Sequence, residues 1–96
     1  MDKSEIHSPL YYASLAGIKQ VVYRLLKMGA NANAREGIYG NALQAASYGG
    51  DKATVKLLLE NGADVNAQGG EHGNALIAAV WADEKEVAKL LLENGA

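Results

Sequence analysis

The sequence contains no cysteine, no apolar run long enough to cross a membrane and no secretory signal pattern. The first absence excludes a disulfide framework and a thiolate metal site. A membrane-spanning helix needs about 20 consecutive apolar residues, so the second excludes a membrane span. The net charge of −2 argues against an anionic membrane as a partner. These absences are compatible with a reducing compartment, and we expect a cytoplasmic protein.

Basic clusters and catalytic groupings are also missing. The net charge is −2 and the nine basic residues are scattered, which argues against nucleic acid as a partner. The two histidines, His7 and His72, have no serine or cysteine nucleophile arranged around them. The glycine-rich residues 69–73 lack the Gly-Lys-Ser/Thr ending of a phosphate-binding loop. We therefore expect no enzyme activity, no cofactor and no metal site.

The main feature of the sequence is an internal repeat with a period of 33 residues. The triplet Asn-Ala-Leu at residues 41–43 recurs at residues 74–76, and residues 55–63 recur nearly unchanged at residues 88–96. In the other direction, Ser-Pro-Leu at residues 8–10 takes the place of the first triplet. A fixed period of this length is the signature of a solenoid of stacked repeats.

Each repeat contains two short apolar segments with helical spacing, separated by a break and followed by a polar loop. This pattern predicts a helix, a turn, a second helix and an extended loop. One such unit cannot cover its own apolar face, so neighbouring units must stack. We predict an all-α solenoid with two finger loops that resemble β-hairpins. Its parts are a leader at residues 1–7, repeats at 8–40 and 41–73, and a shortened repeat at 74–96.

Capping residues at the repeat period predict where the first helices begin. Ser8, Asn41 and Asn74 each have a side-chain oxygen that can accept a free backbone N–H group. Pro9 fits the first position of its helix, and Gly17 can adopt the left-handed conformation that ends it.

The second helices are predicted at about residues 18–28 and 52–61, followed by a third near the end of the chain. Asp51 is expected to cap the second of these helices. In the last repeat Asp83 replaces the glycine of the break, and we expect it to form a capping box with Glu86. The side chains expected to be buried in the first of these helices are Val21, Val22, Leu25 and Leu26.

The second helix and its loop resemble a known family. The pattern V-x-x-L-L-x-x-G-A-x-x-N-A is present at residues 22–34 and recurs at residues 55–67. It resembles the ankyrin repeat, and the family's first-helix signature T-P-L-H-x-A is kept in part at residues 8–13. The resemblance implies stacked helix pairs and a protein partner held in a concave groove. At the position of the family's histidine stand Tyr11, Gln44 and Ile77, which we expect to pack inside the stack.

Two narrower resemblances concern the parent protein and a modification. Residues 40–48 and 64–70 are similar to ankyrin arrays attached to fungal nucleotide-binding signal-transduction ATPases. Asn66, with Leu58 before it, resembles the ankyrin asparagine that an iron-dependent oxygenase hydroxylates. The alternative is that Asn66 makes local backbone hydrogen bonds in its finger.

Positions that vary between repeats are the best candidates for partner binding. Leu15, Tyr48 and Trp81 are spaced at the repeat period near the ends of the first helices, in the part that resembles the concave groove. Large aromatic side chains with a polar tip suit recognition of a protein. The alternative is that the three side chains pack between neighbouring repeats.

The finger tips provide the remaining candidates. Ile38 and Tyr39 in the first finger match Glu71 and His72 in the second, and together they would form a rim on the same surface. The alternative is that Tyr39 and His72 only cover the adjacent finger.

The last helix ends at Leu91 and Leu92 with no polar capping unit after it. We therefore expect the chain to belong to a longer array in a signalling protein and to bind a protein partner without catalysis. The alternative function is structural, with apolar ends that stack on further repeats or on a second copy of the chain.

Overall fold

The computed structural model describes residues 6–96, in which six helices form three consecutive pairs. Most of the predicted leader, residues 1–5, lies outside the described residues. The prediction of an all-α repeat fold is confirmed. The helices are α1 (Pro9–Ala16), α2 (Lys19–Lys27), α3 (Ala42–Gly49), α4 (Lys52–Glu60), α5 (Ala75–Trp81) and α6 (Lys85–Glu93). Each finger contains one isolated antiparallel bridge, Glu36 with Gly40 in the first and Gly69 with Gly73 in the second.

A side-chain cap begins the first helix of every repeat, as predicted. In each case the capping oxygen accepts the backbone N–H three residues further on, at 3.2 Å for Ser8 and 2.8 Å for both Asn41 and Asn74. Gly17 follows α1 with a φ of 69°, a left-handed conformation that glycine adopts without steric cost. These contacts are local, which is why the sequence alone identified them.

The second helices of the second and third repeats begin at equivalent residues but differ in their N-terminal caps. Asp51 caps α4 as predicted, because its carboxylate accepts the Ala53 N–H at 3.2 Å. The predicted capping box of Asp83 and Glu86 is wrong. Asp83 has a φ of 60° and fills the left-handed turn position that Gly50 fills one repeat earlier. Helix α6 therefore begins at Lys85, the repeat equivalent of Lys52, and its N-cap position is Glu84 rather than the predicted Asp83. Glu86 instead lies 3.8 Å from the ammonium group of Lys52.

The helices form two layers, with α1, α3 and α5 side by side in the inner layer and α2, α4 and α6 in the outer layer. Apolar side chains from both layers meet in one core, in which Val22 is fully buried as predicted. Val21 is exposed, contrary to the prediction, because no described helix covers that side of α2. Leu25 and Leu26 are partly buried against the core. None of the six helices is long and apolar enough to cross a bilayer.

Asparagine side chains connect the loop of one repeat to the next repeat. The Asn33 amide donates to the Gly62 carbonyl at 2.9 Å and accepts the Asp64 N–H at 2.7 Å. Asn66 repeats the first of these bonds, since its amide donates to the Gly95 carbonyl at 3.2 Å. The Asn66 side chain therefore joins two repeats, and the expected local hydrogen bonding of Asn66 is found at its backbone only. The backbone N–H of Asn66 does make a local bond, to the Asp64 carboxylate at 2.9 Å.

Candidate protein-binding surface

Four aromatic rings from the three repeats form a continuous series, which we call the aromatic run: Tyr39, Tyr48, His72 and Trp81. The ring centroids lie 4.7 Å apart between Tyr39 and Tyr48, 5.5 Å apart between Tyr48 and His72, and 5.8 Å apart between His72 and Trp81. The planes of Tyr48 and His72 are nearly parallel, at 6°. Offset stacking at such distances is the arrangement that aromatic pairs prefer.

The run alternates between finger tips and inner helices. Tyr39 and His72 come from the two fingers, whereas Tyr48 lies near the end of α3 and Trp81 is the last residue of α5. Tyr39 and His72 are one repeat period apart, and so are Tyr48 and Trp81. Each ring from a finger therefore lies beside a ring from a helix. The structure therefore brings two residues of each predicted set of candidates into one surface.

Buried polar side chains of the inner helices hold the fingers in place. The Tyr11 hydroxyl accepts the Tyr39 N–H at 3.2 Å, and the Gln44 amide donates to the Gly69 carbonyl at 2.8 Å. A side chain at Gly37 would collide with the Tyr11 ring, so the finger can approach α1 only because Gly37 has no Cβ. Tyr11 and Gln44 thus pack inside the stack as predicted.

The fingers also contact each other and the start of α1. The Glu71 N–H donates to the Ile38 carbonyl at 2.6 Å, which joins the two tips directly. Glu36, which the sequence pattern did not single out, accepts the Ser8 hydroxyl at 2.6 Å. No periodic signal could reveal this role, because the matching residue one period later is Gly69.

Tyr39 is the titratable group of the run with a perturbed pKa. Partial burial raises the pKa of its phenol above the ordinary value of 10.0, and the neighbouring Tyr48, Tyr11 and Glu71 add to the rise. The side chain therefore stays neutral at physiological pH and can act as a hydrogen-bonding aromatic.

The candidate residues differ in how far they are exposed. Trp81 is 72% exposed and Ile38 is also exposed, whereas Tyr48 and His72 are half-buried between their ring neighbours. Leu15 is partly buried at the matching position of α1 and, being aliphatic, does not extend the run. Ile77 is exposed, unlike Tyr11 and Gln44, so the prediction that it packs in the stack is wrong within the described part of the chain.

Neither histidine belongs to a metal-binding group in residues 6–96, where no cluster of three or more candidate ligands occurs. His7 packs its ring against Tyr11, with 5.2 Å between centroids, and lies 4.0 Å from Glu36. His72 is part of the aromatic run.

Helix pairs stacked at a fixed period and joined by finger loops define a helical repeat protein. The chain belongs to the ankyrin repeat family, because the family description for three copies of the ankyrin repeat matches residues 10–96. Members of this family are generally protein–protein interaction modules and are typically non-catalytic.

Two known proteins are similar to this chain. The azaphilone pigments biosynthesis cluster protein L of Monascus ruber is 48% identical over 49 residues, which cover 44% of this chain and 10% of the relative. The crystal structure of the human ASB11 ankyrin repeat domain superposes with a TM-score of 0.87 and 33% identity, covering 94% of this chain and 41% of that one. The chain therefore spans less than half the length of either protein.

Proposed function

We propose that this chain is a non-catalytic protein-binding module that holds its partner on the aromatic run and the finger tips. We also propose that it forms part of a longer ankyrin array. The resemblance of residues 40–48 and 64–70 to fungal arrays supports a place for that array in a signalling protein. The observation that carries the proposal is Trp81, a large aromatic side chain that is 72% exposed at the end of a stacked series of rings.

The exposure of Trp81 favours recognition over a role in packing between repeats. A tryptophan that stabilised the described repeats would be covered by them, whereas this side chain contacts His72 and otherwise faces solvent. Tryptophan and tyrosine are enriched among the residues that dominate the energy of protein interfaces.

The contacts within the run also favour tight binding. Tyr48 and His72 are fixed between neighbouring rings, so they lose little side-chain freedom when a partner docks. Ordering a mobile side chain at an interface costs about 0.5–1.5 kcal/mol, and a surface that is ordered in advance avoids much of that cost.

Substitution of Trp81 by alanine tests the proposal. Proteins captured by the wild-type chain should be lost with Trp81→Ala, and the affinity of a purified partner, measured by calorimetry, should fall by about 2 kcal/mol, roughly 30-fold. The melting temperature should change little, because the side chain is exposed. Tyr23→Ala is the matched control, since Tyr23 is an exposed aromatic on the outer helix α2 and should leave binding unchanged.

Two outcomes would contradict this proposal. A partner that tolerates Trp81→Ala and instead depends on Tyr23 would move the binding surface to the outer layer. A large fall in melting temperature for Trp81→Ala would mean that the indole supports the fold.

A second candidate function is self-association through α5 and α6. Val80 is 64% exposed and Leu92 is 56% exposed, and Ile77 adds a third apolar side chain to this end of the stack. Leu91, which we had expected to be part of the uncapped end, is fully buried and cannot contribute. The three exposed apolar side chains are the basis of this candidate, since exposed apolar surface marks sites of association.

Light scattering across a concentration series tests the second candidate. Self-association predicts that the mass increases with concentration and that the double substitution Val80→Ser and Leu92→Ser abolishes the increase. A wild-type chain that stays monomeric throughout the series would eliminate this candidate and leave the protein-binding proposal in place.

A further inference from the structure

The inner layer of the stack is free of charged side chains. None of the helices α1, α3 and α5 contains a lysine, arginine, aspartate or glutamate. The charges around the aromatic run must therefore come from the loops that flank it. Glu71 directly precedes His72, and Asp83 and Glu84 follow shortly after Trp81.

These three charged residues are all acidic. Glu71 is exposed at the finger tip, where its N–H donates to the carbonyl of Ile38, the residue before Tyr39. Its carboxylate also contributes to the raised pKa of the Tyr39 phenol. The Glu84 carboxylate lies against Gly50, at the turn between α3 and α4, where a Cβ would collide with it. The aromatic surface is thus bordered by acidic groups at the finger tips and at the turns.

The basic residues lie elsewhere. Seven of the eight lysines and arginines in residues 6–96 belong to the outer helices, and the eighth, Arg35, is in the first finger. The seven are Lys19, Arg24 and Lys27 in α2, Lys52 and Lys56 in α4, and Lys85 and Lys89 in α6. The basic side chains are therefore concentrated on the outer helices, where Glu60, Glu86 and Glu93 also lie, whereas the charged residues that flank the exposed indole in the chain are acidic.

We propose that the partner segment bound on the aromatic run is basic, with an arginine whose guanidinium group stacks on the exposed face of Trp81 and pairs with Glu71. This inference rests on the proposed protein-binding function and specifies the chemistry of the partner. Tryptophan is the best aromatic ring for a cation, and the planar guanidinium group of arginine can stack on a ring while its N–H groups bind a carboxylate.

The arrangement of the run supports this assignment. The ring centroids of Trp81 and His72 lie 5.8 Å apart, and Glu71 directly precedes His72 in the chain. One extended segment can therefore reach both the indole and the carboxylate. An acidic segment would place like charges together on this surface. A purely apolar segment would cover Glu71 without giving its carboxylate a partner, which is unfavourable.

Fluorescence gives a direct test, because Trp81 is the only tryptophan of the chain. The probe is a short glycine–serine peptide with two arginines, compared with the same peptide carrying citrulline or glutamate in their place. We expect saturable quenching by the arginine peptide, about fivefold weaker binding of the citrulline peptide, and no saturable quenching by the glutamate peptide. Binding of the arginine peptide should weaken as salt is added.

Substitutions of the chain test where the arginine of the peptide binds. Glu71→Gln should weaken binding of the arginine peptide about threefold, which is the size expected for an exposed ion pair. Glu60→Gln is the matched control, since it removes the same charge from an exposed site at the end of the outer helix α4 and should have no effect. Calorimetry with Trp81→Leu, which removes the fluorescent reporter, should give no heat of binding.

Three results would overturn the inference: equal binding of the arginine and citrulline peptides, equal effects of the two charge substitutions, or retained binding heat with Trp81→Leu. Failure of the inference can be distinguished from failure of the proposed function. If a captured partner depends on Trp81 but is unaffected by Glu71→Gln, the surface binds protein and only the basic-partner assignment is wrong.

Discussion

The second and third repeats place equivalent residues in opposite surroundings. Gln44 and Ser47 of α3 are fully buried, whereas Ile77 and Val80, one period later on α5, are exposed. The helices themselves are alike, and both begin with an asparagine cap. The difference arises because α5 covers one side of α3, while no helix among the described residues covers the side of α5 that faces away from α3. In this fold, burial is set by the neighbouring repeat as much as by the residue.

The first repeat makes the same point on the opposite side of the stack. Ala45 and Ala78 are buried where α3 and α5 pack against the preceding helix, and Tyr12 stands at the equivalent position of α1, exposed to solvent. Alanine permits close approach between helices, whereas a tyrosine at the same place would separate them. Residue size at this position therefore depends on whether a helix packs against it.

The largest expected effect tests the contrast between central and terminal positions. Leu58 in the second repeat is fully buried, so Leu58→Ala should lower the free energy of unfolding by about 3 kcal/mol. Leu92→Ala, at the more exposed end of α6, should lower it by less than about 0.5 kcal/mol. Denaturant unfolding followed by circular dichroism measures both. Equal losses would mean that the end of α6 is covered in solution, as self-association requires.

The sequence predicted the local features of the fold better than the burial of side chains, which depends on neighbouring helices. The caps at Ser8, Asn41 and Asp51 were predicted because a cap involves only a few neighbouring residues. The exposure of Val21 was not predicted, because it depends on whether another helix covers that side of α2. Asp83 was misassigned because its left-handed conformation is set by the geometry of the turn, and aspartate is also a good cap.

The candidate surface was predicted in position but not in arrangement. The spacing of Tyr48 and Trp81 along the inner helices, and of Tyr39 and His72 along the fingers, follows from the repeat period. Their stacking into one run depends on how far each finger folds over its helix, which is fixed by hydrogen bonds such as that between Tyr11 and Tyr39. Such contacts between residues 28 apart leave no local pattern in the sequence.

A smaller effect is expected at the turns, where the second and third repeats differ in one residue. Gly50 has a φ of 83°, so Gly50→Ala should destabilise the chain by about 1.5 kcal/mol, since a left-handed conformation is costly for a residue with a Cβ. Asp83 adopts the same left-handed conformation although it has a Cβ, so Asp83→Gly should stabilise the chain by about 0.5 kcal/mol. Thermal unfolding of both variants provides the measurement. Destabilisation by Asp83→Gly would show that the aspartate side chain contributes more than its strained backbone costs.

The smallest effect compares two buried serines at equivalent positions of α1 and α3. The Ser47 hydroxyl donates to the Leu43 carbonyl at 2.7 Å, whereas the Ser14 hydroxyl is buried without a hydrogen-bond partner among the described residues. Removal of a satisfied hydroxyl forfeits a hydrogen bond, so Ser47→Ala should cost about 1 kcal/mol. Removal of an unsatisfied one relieves a desolvation penalty, so Ser14→Ala should leave the stability unchanged or raise it by about 0.5 kcal/mol. The paired substitutions change the volume equally, and their unfolding curves therefore isolate the hydrogen bond. If both variants lose the same stability, Ser14 also has a partner in solution, and the inner helices of the first and second repeats are more alike than their contacts indicate.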